Sequence, residues 1–183
     1  MTTDLRIQRT LYMIHTSFIS LLQTHEFEQI SVLMLCEKAM INPKTFYKYY
    51  AGKSALAGAL IKQFKHELAQ LQHERLTTPN PKQFLQIASQ FFFDKRLMLL
   101  ALWKINTKRH HLWQDMHEMI KITYMKKAQM HNPSIDTEML HFQAHIFSVM
   151  LMNAIQYQLE HNKMIESEQM FAQFEQITHL IQE

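Results

Sequence analysis

Residues 39–54 read Ala39-Met40-Ile41-Asn42-Pro43-Lys44-Thr45-Phe46-Tyr47-Lys48-Tyr49-Tyr50-Ala51-Gly52-Lys53-Ser54. Asparagine accepts well from orphan amides at a helix start, and proline suits the first helical position, where its missing N–H costs nothing. Asn42-Pro43 therefore predicts a short helix from Pro43 through Tyr50, broken at Ala51-Gly52, with Ser54 as the next candidate cap. Directly upstream, Ser31 stands before Val32-Leu33-Met34-Leu35-Cys36-Glu37-Lys38-Ala39, a helix of about two turns with Ser31 as its cap. Two short helices joined by a tight turn form a helix-turn-helix, whose second helix lies in the major groove. The side chains suit that task. Lys44 and Lys48 neutralise phosphates, and Thr45, Tyr47 and Tyr49 offer hydroxyls to phosphates or bases. Lys53 sits where the next helix begins and its amides point outward. Tyr47, Tyr49 and Tyr50 also fit a second description, amphipathic rings packed in a core.

Outward from this stretch the chain reads as helix almost throughout. Leu5 to His25 carries Ile7, Leu11, Ile14, Phe18 and Leu22 at helical spacing, one apolar face. A long helix is expected from Ser54 to Leu76, with Leu60, Phe64, Leu68 and Leu71 inward. Thr77-Thr78-Pro79-Asn80-Pro81 is the clearest linker, because proline disfavours the helical region for the residue before it. Five further helices follow: Lys82 to Phe93, Asp94 to about Thr107, Leu112 to Met130, Asp136 to about Asn162, and Glu166 to Ile181. The centre of the penultimate one, Ile146 to Ile155, is apolar nearly all round, so more than one side must be covered. One cover is expected to be another subunit. Phe147, Leu151 and Ala154, with Phe174, Ile177 and Ile181 of the last helix, are the candidate dimer positions.

Composition narrows the function classes. The 183 residues include only two glycines and four prolines. Average usage would give roughly thirteen glycines. Gly52 and Gly58, six apart, cannot make a Walker loop or a dinucleotide fingerprint. Hairpin-rich β folds are disfavoured for the same reason. Hydrophobic residues at 47% allow a sizeable core, and the net charge of +3 permits nucleic-acid binding. The charge is uneven. Lys95 to Lys127 holds eight Lys or Arg against two acids, and Ala128 to Glu183 holds one against seven. Either the basic segment is a nucleic-acid surface, or the acidic tail folds back on it within the chain or across a dimer.

Cys36 is the single cysteine, which excludes an internal disulfide and a cysteine zinc site. The longest apolar run, Leu97 to Trp103, is far below the roughly 20 residues of a membrane span. A cytoplasmic protein with no membrane contact is expected. Among twelve histidines, His141 and His145 share a helix face and His110-His111 stand near His117, but no carboxylate completes a site. No metal and no cofactor are expected. No nucleophile elbow or paired acidic motif is present, so no catalytic residue is assigned and no enzyme is expected.

Residues 39–56 resemble the signature of TetR-type transcriptional regulators: Ala, three turn residues, two variable residues, Thr-hydrophobe-Tyr, an aromatic, and a closing Lys. Ile30-Ser31-Val32 and Leu35 to Ala39 extend the likeness upstream, over about Arg9 to Leu60 in all. The resemblance implies an all-α homodimer with a three-helix DNA-binding domain at residues 1–52. Residues 53–183 would form a helical bundle for effector binding and dimerisation. It places Ser31, Thr45, Tyr47, Tyr49 and Lys53 at DNA-contact positions, with Lys44 and Lys48 at variable ones and Phe46 and Tyr50 facing the core. Phe64, Phe91, Met98, Trp103, Trp113, Met116 and Tyr124 fall on the helices that would enclose a small hydrophobic effector, where ordinary core packing is the competing account. The implied function is a ligand-responsive repressor on a pseudo-palindromic operator in double-stranded DNA. A coregulator acting through a protein partner is the alternative. Two departures stand out. Met40 occupies the usual turn glycine, and Leu33 and Met34 replace the polar residues common at the start of the second helix.

Overall fold

A computed structural model describes residues 2–77 and 81–180. The described residues hold nine α-helices and a single 3-10 turn at Phe27–Gln29, with no strand among them. The helices are α1 (Thr2–Thr24), α2 (Val32–Lys38), α3 (Pro43–Tyr47), α4 (Lys53–Thr77), α5 (Pro81–Asp94), α6 (Arg96–Trp103), α7 (Leu112–His131), α8 (Thr137–Glu160) and α9 (Ser167–Leu180). Thr78, Pro79, Asn80 and Ile181 lie outside the described residues. The chain divides into two compact units, residues 1–73 with 97–111, and residues 74–96 with 112–183.

The first unit is built around α1 and α4. Ile14, Phe18, Leu21 and Leu22 of α1 are buried, as are Leu56, Ala57, Leu60, Ile61, Phe64, Leu68 and Leu71 of α4. The expected stripe on α1 is thus inward only in its second half, and Ile7 is exposed. Phe46 supplies the anchor of α3, Leu35 and Cys36 that of α2. Leu99, Ala101, Leu102 and Ile105 complete the core from α6 and the chain after it. The three N-terminal helices therefore do not close a core alone. They share one with most of α4 and with residues 97–111.

In the second unit α7 packs against α8, and α5 against α8 and α9. Leu112 and Met116 of α7 are buried, as is a row on α8 that includes Leu140, Ala144, Ser148, Met152 and Leu159. Asp136 caps α8 by accepting from the Met139 N–H at 2.9 Å. At the other end the Arg96 Nε–H donates to the Leu159 carbonyl.

The expected start of α4 and the expected end of α6 both move. Ser54 is not a cap, since α4 already begins at Lys53. The helix expected to reach Thr107 stops at Trp103. The cause is Thr107, whose Oγ1 accepts from the His110 N–H at 3.0 Å and the Arg109 N–H at 3.3 Å. A threonine side chain that takes backbone donors this way replaces helix with a turn.

Candidate nucleic-acid interface

The connection between α2 and α3 is a Schellman motif. The Ile41 N–H donates to the Cys36 carbonyl at 3.0 Å and the Met40 N–H to Glu37 at 3.1 Å. This pattern requires a left-handed residue at Met40, usually glycine. Met40 adopts it, at φ 52°. Its side chain is 87% exposed, so no packing compensates the backbone strain. The same motif ends α8, with Lys163 N–H to Gln158 and Asn162 N–H to Leu159, but there the left-handed residue is Asn162. Asparagine tolerates that region far better than methionine. The turn keeps its form despite the missing glycine.

Both short helices start as their caps dictate. Ser31 Oγ accepts from the Met34 N–H at 3.1 Å, and Asn42 Oδ1 from the Lys44 N–H at 2.8 Å. Ser31 capping leaves its own hydroxyl proton available to a phosphate. Helix α3 ends at Tyr47, three residues before the expected Tyr50, and Tyr49 and Tyr50 N–H groups close back on the Phe46 carbonyl. Phe46 points fully inward. Lys44 and Lys48 are exposed, Tyr47 is 56% exposed, and Thr45 and Tyr49 are half-buried. The phenol of Tyr50 turns to α1, where Tyr50 Oη and His15 Nε2 lie 2.7 Å apart. Burial holds the His15 imidazole below its usual pKa and pushes the Tyr50 phenol up. A neutral imidazole accepting from an intact phenol is the state this contact favours.

Lys53 has a structural task. Its Nζ donates to the carbonyls of Phe27 at 2.7 Å and Glu28 at 2.8 Å, and lies 4.8 Å from the Phe27 ring centroid. The ammonium thus ties the start of α4 to the turn between α1 and α2. Two of its three protons are used, and one remains for an anion.

Nothing in the sequence pattern announces the role of residues 104–110. Lys104 Nζ donates to the Gln23 carbonyl near the end of α1 at 3.2 Å. His110 Nε2 lies 3.0 Å from Ser54 Oγ. The His110 ring presses onto Gly58, where an added Cβ would lie 2.9 Å from Cε1. That approach accounts for a glycine inside α4. No local sequence signal links His110 to Ser54, 56 residues away.

The effector candidates divide between the units. Phe64, Met98 and Trp103 belong to the first, and Phe91, Trp113, Met116 and Tyr124 to the second. Phe64 and Met116 are buried, and the others are half-buried. Between α7 and α8, Tyr124 stacks obliquely on Phe147, centroids 5.1 Å apart, and its hydroxyl donates to Gln143 Oε1 at 3.2 Å. His117 Nδ1 lies 3.3 Å from the buried Ser148 Oγ, which itself donates to the His145 carbonyl at 2.8 Å. Ser148 has spent its proton, so His117 is assigned as the donor. Burial, then Lys121 and His145, hold this imidazole low, against a smaller opposing pull from Glu118. His117, Gln143 and Ser148 are polar groups that the apolar pattern conceals.

Of the candidate dimer positions, Phe147, Leu151, Ala154 and Phe174 are half-buried and Ile177 is exposed. The open side of α8 is a different one. Met139, Phe142, Ile146 and Tyr157 share it, with Phe142 60% exposed. Among the described residues no group of three or more His, Cys, Asp or Glu gathers as a metal site. His141 and His145 are exposed. The Cys36 thiol is buried in α2, and burial, with Glu37 beside it, pushes its pKa up. No helix among the described residues is long and apolar enough to cross a membrane.

No family model matches the chain, and no curated protein matches it in sequence. Solved structures do. A proposed transcriptional regulator from Pseudomonas aeruginosa PAO1 superposes with a TM-score of 0.63 at 17% identity, covering 93% of this chain and 89% of that one. A proposed fatty acid metabolism regulator from Clostridium perfringens gives 0.60 at 15% identity, over 88% and 94%. These likenesses show the fold, an all-helical one that proteins described as regulators carry, and it is the fold that the resemblance to TetR-type regulators implies.

Proposed function

We propose that this chain is a DNA-binding transcriptional regulator that works as a homodimer and responds to a small hydrophobic effector. The observation that carries the reading is the α2–α3 pair. A Schellman turn holds at Met40, Pro43 starts the second helix, and Lys44 and Tyr47 stand exposed on it, with Lys48 exposed at its C-terminal cap, while Phe46 anchors it. An N-terminus presented with exposed cations and hydroxyls is what a major-groove reader needs. Repression through ligand-gated release fits the apolar side chains of α7 and α8, where His117, Gln143 and Tyr124 offer a few polar groups for orientation. Residues 1–52 would be the reading domain and 53–183 the regulatory one, although the reading helices draw on α4 and residues 97–111 for their core.

The test is selection of bound sequences from a random duplex pool, followed by gel-shift titration. Tyr47→Ala is expected to weaken the selected operator at least tenfold, about 1.4 kcal/mol, with helicity and oligomeric state unchanged. An operator bound equally by wild type, Tyr47→Ala and Lys44→Ala sinks the contact assignment.

A second reading has its own observation. Leu33 and Met40 are exposed apolar side chains on the helix-turn-helix itself. A coregulator would bury them against a protein partner and show no sequence selection alone. Purified protein that selects no operator favours this reading.

A further inference from the structure

The Lys95–Lys127 charge run is divided by the fold. The first unit carries eleven Lys or Arg against five Asp or Glu, a net of +6, and the second eight against eleven, a net of −3. Lys104, Lys108 and Arg109 fall in the first unit, the one that holds α2 and α3. They stand on a turn that is fixed from three directions: Lys104 on the end of α1, Thr107 within the turn, and His110 on Ser54 and Gly58. Lys108 and Arg109 are at its tip, and both are exposed. Neither pairs with a carboxylate among the described residues.

The contacts define where this tip lies. His110, next to Arg109, touches Ser54 in the first turn of α4. Ser54 follows Lys53, whose ammonium is on the Phe27 and Glu28 carbonyls, three residues before the Ser31 cap of α2. The turn therefore stands beside the end of the unit where α2 and α4 begin. Glu26 and Glu28 are the acids of that corner, against Lys53, Lys104, Lys108 and Arg109.

We propose that the Lys104–His110 turn is a second DNA-contacting element, with Lys108 and Arg109 gripping phosphates of the backbone beside the half-site that α3 reads. This rests on the DNA-binding reading above. A guanidinium fork suits phosphate oxygens, and a turn already fixed by three anchors loses little further entropy on binding. The contact carries no base information, so it strengthens all sequences alike.

That property makes it testable without the operator. The probe is a labelled random-sequence duplex long enough for two half-sites, titrated with the full-length protein across a salt series. Each phosphate contact adds about 0.9 to the slope of log affinity against log salt. Lys108→Ala and Arg109→Ala are each expected to lower the slope by about 1, and the double variant by about 2, with unchanged melting. Lys62→Ala is the charge-matched control, since Lys62 is exposed about 12 Å further along α4 than Ser54. It should leave the slope unchanged. Wild-type slope in the double variant overturns the turn as a contact while leaving DNA binding intact. Equal losses in Lys62→Ala overturn it too, because net charge alone then explains the effect. Wild-type protein that binds no duplex overturns both readings together.

Discussion

Met40 is the residue whose backbone works against its side chain. Left-handed geometry costs a Cβ-bearing residue about 1–2 kcal/mol, and the exposed thioether recovers nothing by burial. Met40→Gly relieves that strain but adds freedom to the unfolded chain, so a net gain of about 0.5–1 kcal/mol is expected in a denaturant titration. A loss would mean that Met40 contributes an interaction its exposure does not reveal. His15 is constrained differently. Its folded-state pKa lies below the ordinary value because of burial. The unfolded chain then takes up a proton near pH 6.5, and the folded one only at lower pH. The stability tied to neutral His15 is full above about pH 6.5 and is lost as pH falls through the folded pKa. The unfolding midpoint should drop with acidification below that point, and His15→Gln should flatten part of the drop. An identical pH profile in the variant would remove His15 from the account.

Among the helices, those bounded by local signals are legible in the sequence itself. Ser31, Asn42-Pro43 and Asp136 each act within four residues; Ser31 and Asn42 cap the helices expected of them, and Asp136, expected as the first residue of its helix, is instead that helix's cap. Helix α6 stops short of its expected end because that stop depends on the Thr107 side chain and on a turn pinned to a distant helix. Helix α4 lies where its pattern puts it, but its first residue has a structural task beside the phosphate contact proposed for it. Lys53 holds the two carbonyls before α2 in a charged hydrogen-bonded clamp, each such bond contributing about 1.5–3 kcal/mol before discounting for partial exposure. Lys53→Met keeps much of the stem and removes the charge. It should lower stability by about 1–2 kcal/mol and weaken DNA binding as well. The two effects separate at low temperature, where the variant is folded by circular dichroism and any remaining loss of affinity belongs to phosphate contact. Full stability in Lys53→Met would show that the clamp contributes nothing.

For the whole molecule, the uneven charge of the sequence becomes a basic unit and an acidic one, an arrangement that follows from residues 97–111 joining the unit that holds α2 and α3. The face of the proposed dimer is harder to read. A helix apolar on every side has no preferred direction, so the pattern of α8 announces burial without saying which side meets the chain's own core. The structure resolves this in favour of Leu140, Ala144, Ser148, Met152 and Leu159, and turns Phe147 onto Tyr124 of α7. What remains uncovered is Met139, Phe142, Ile146 and Tyr157 on α8, with Ile177 and Leu180 on α9. Four large apolar side chains along one face of a helix of about 36 Å are costly in water and suited to a self-complementary two-fold contact. Phe142→Asp with Ile146→Asp places two like charges opposite their symmetry mates, which a dimer through this face cannot accommodate. Sedimentation should show wild type as a dimer and the double variant as a monomer, with helicity retained because both positions are already exposed. Affinity for a two-half-site duplex should fall steeply while binding to a single half-site stays near wild type, since one reading head then acts alone. A double variant that still sediments as a dimer would move the interface elsewhere, and Phe147→Asp would fail to distinguish the sites, because that change also breaks the packing on Tyr124.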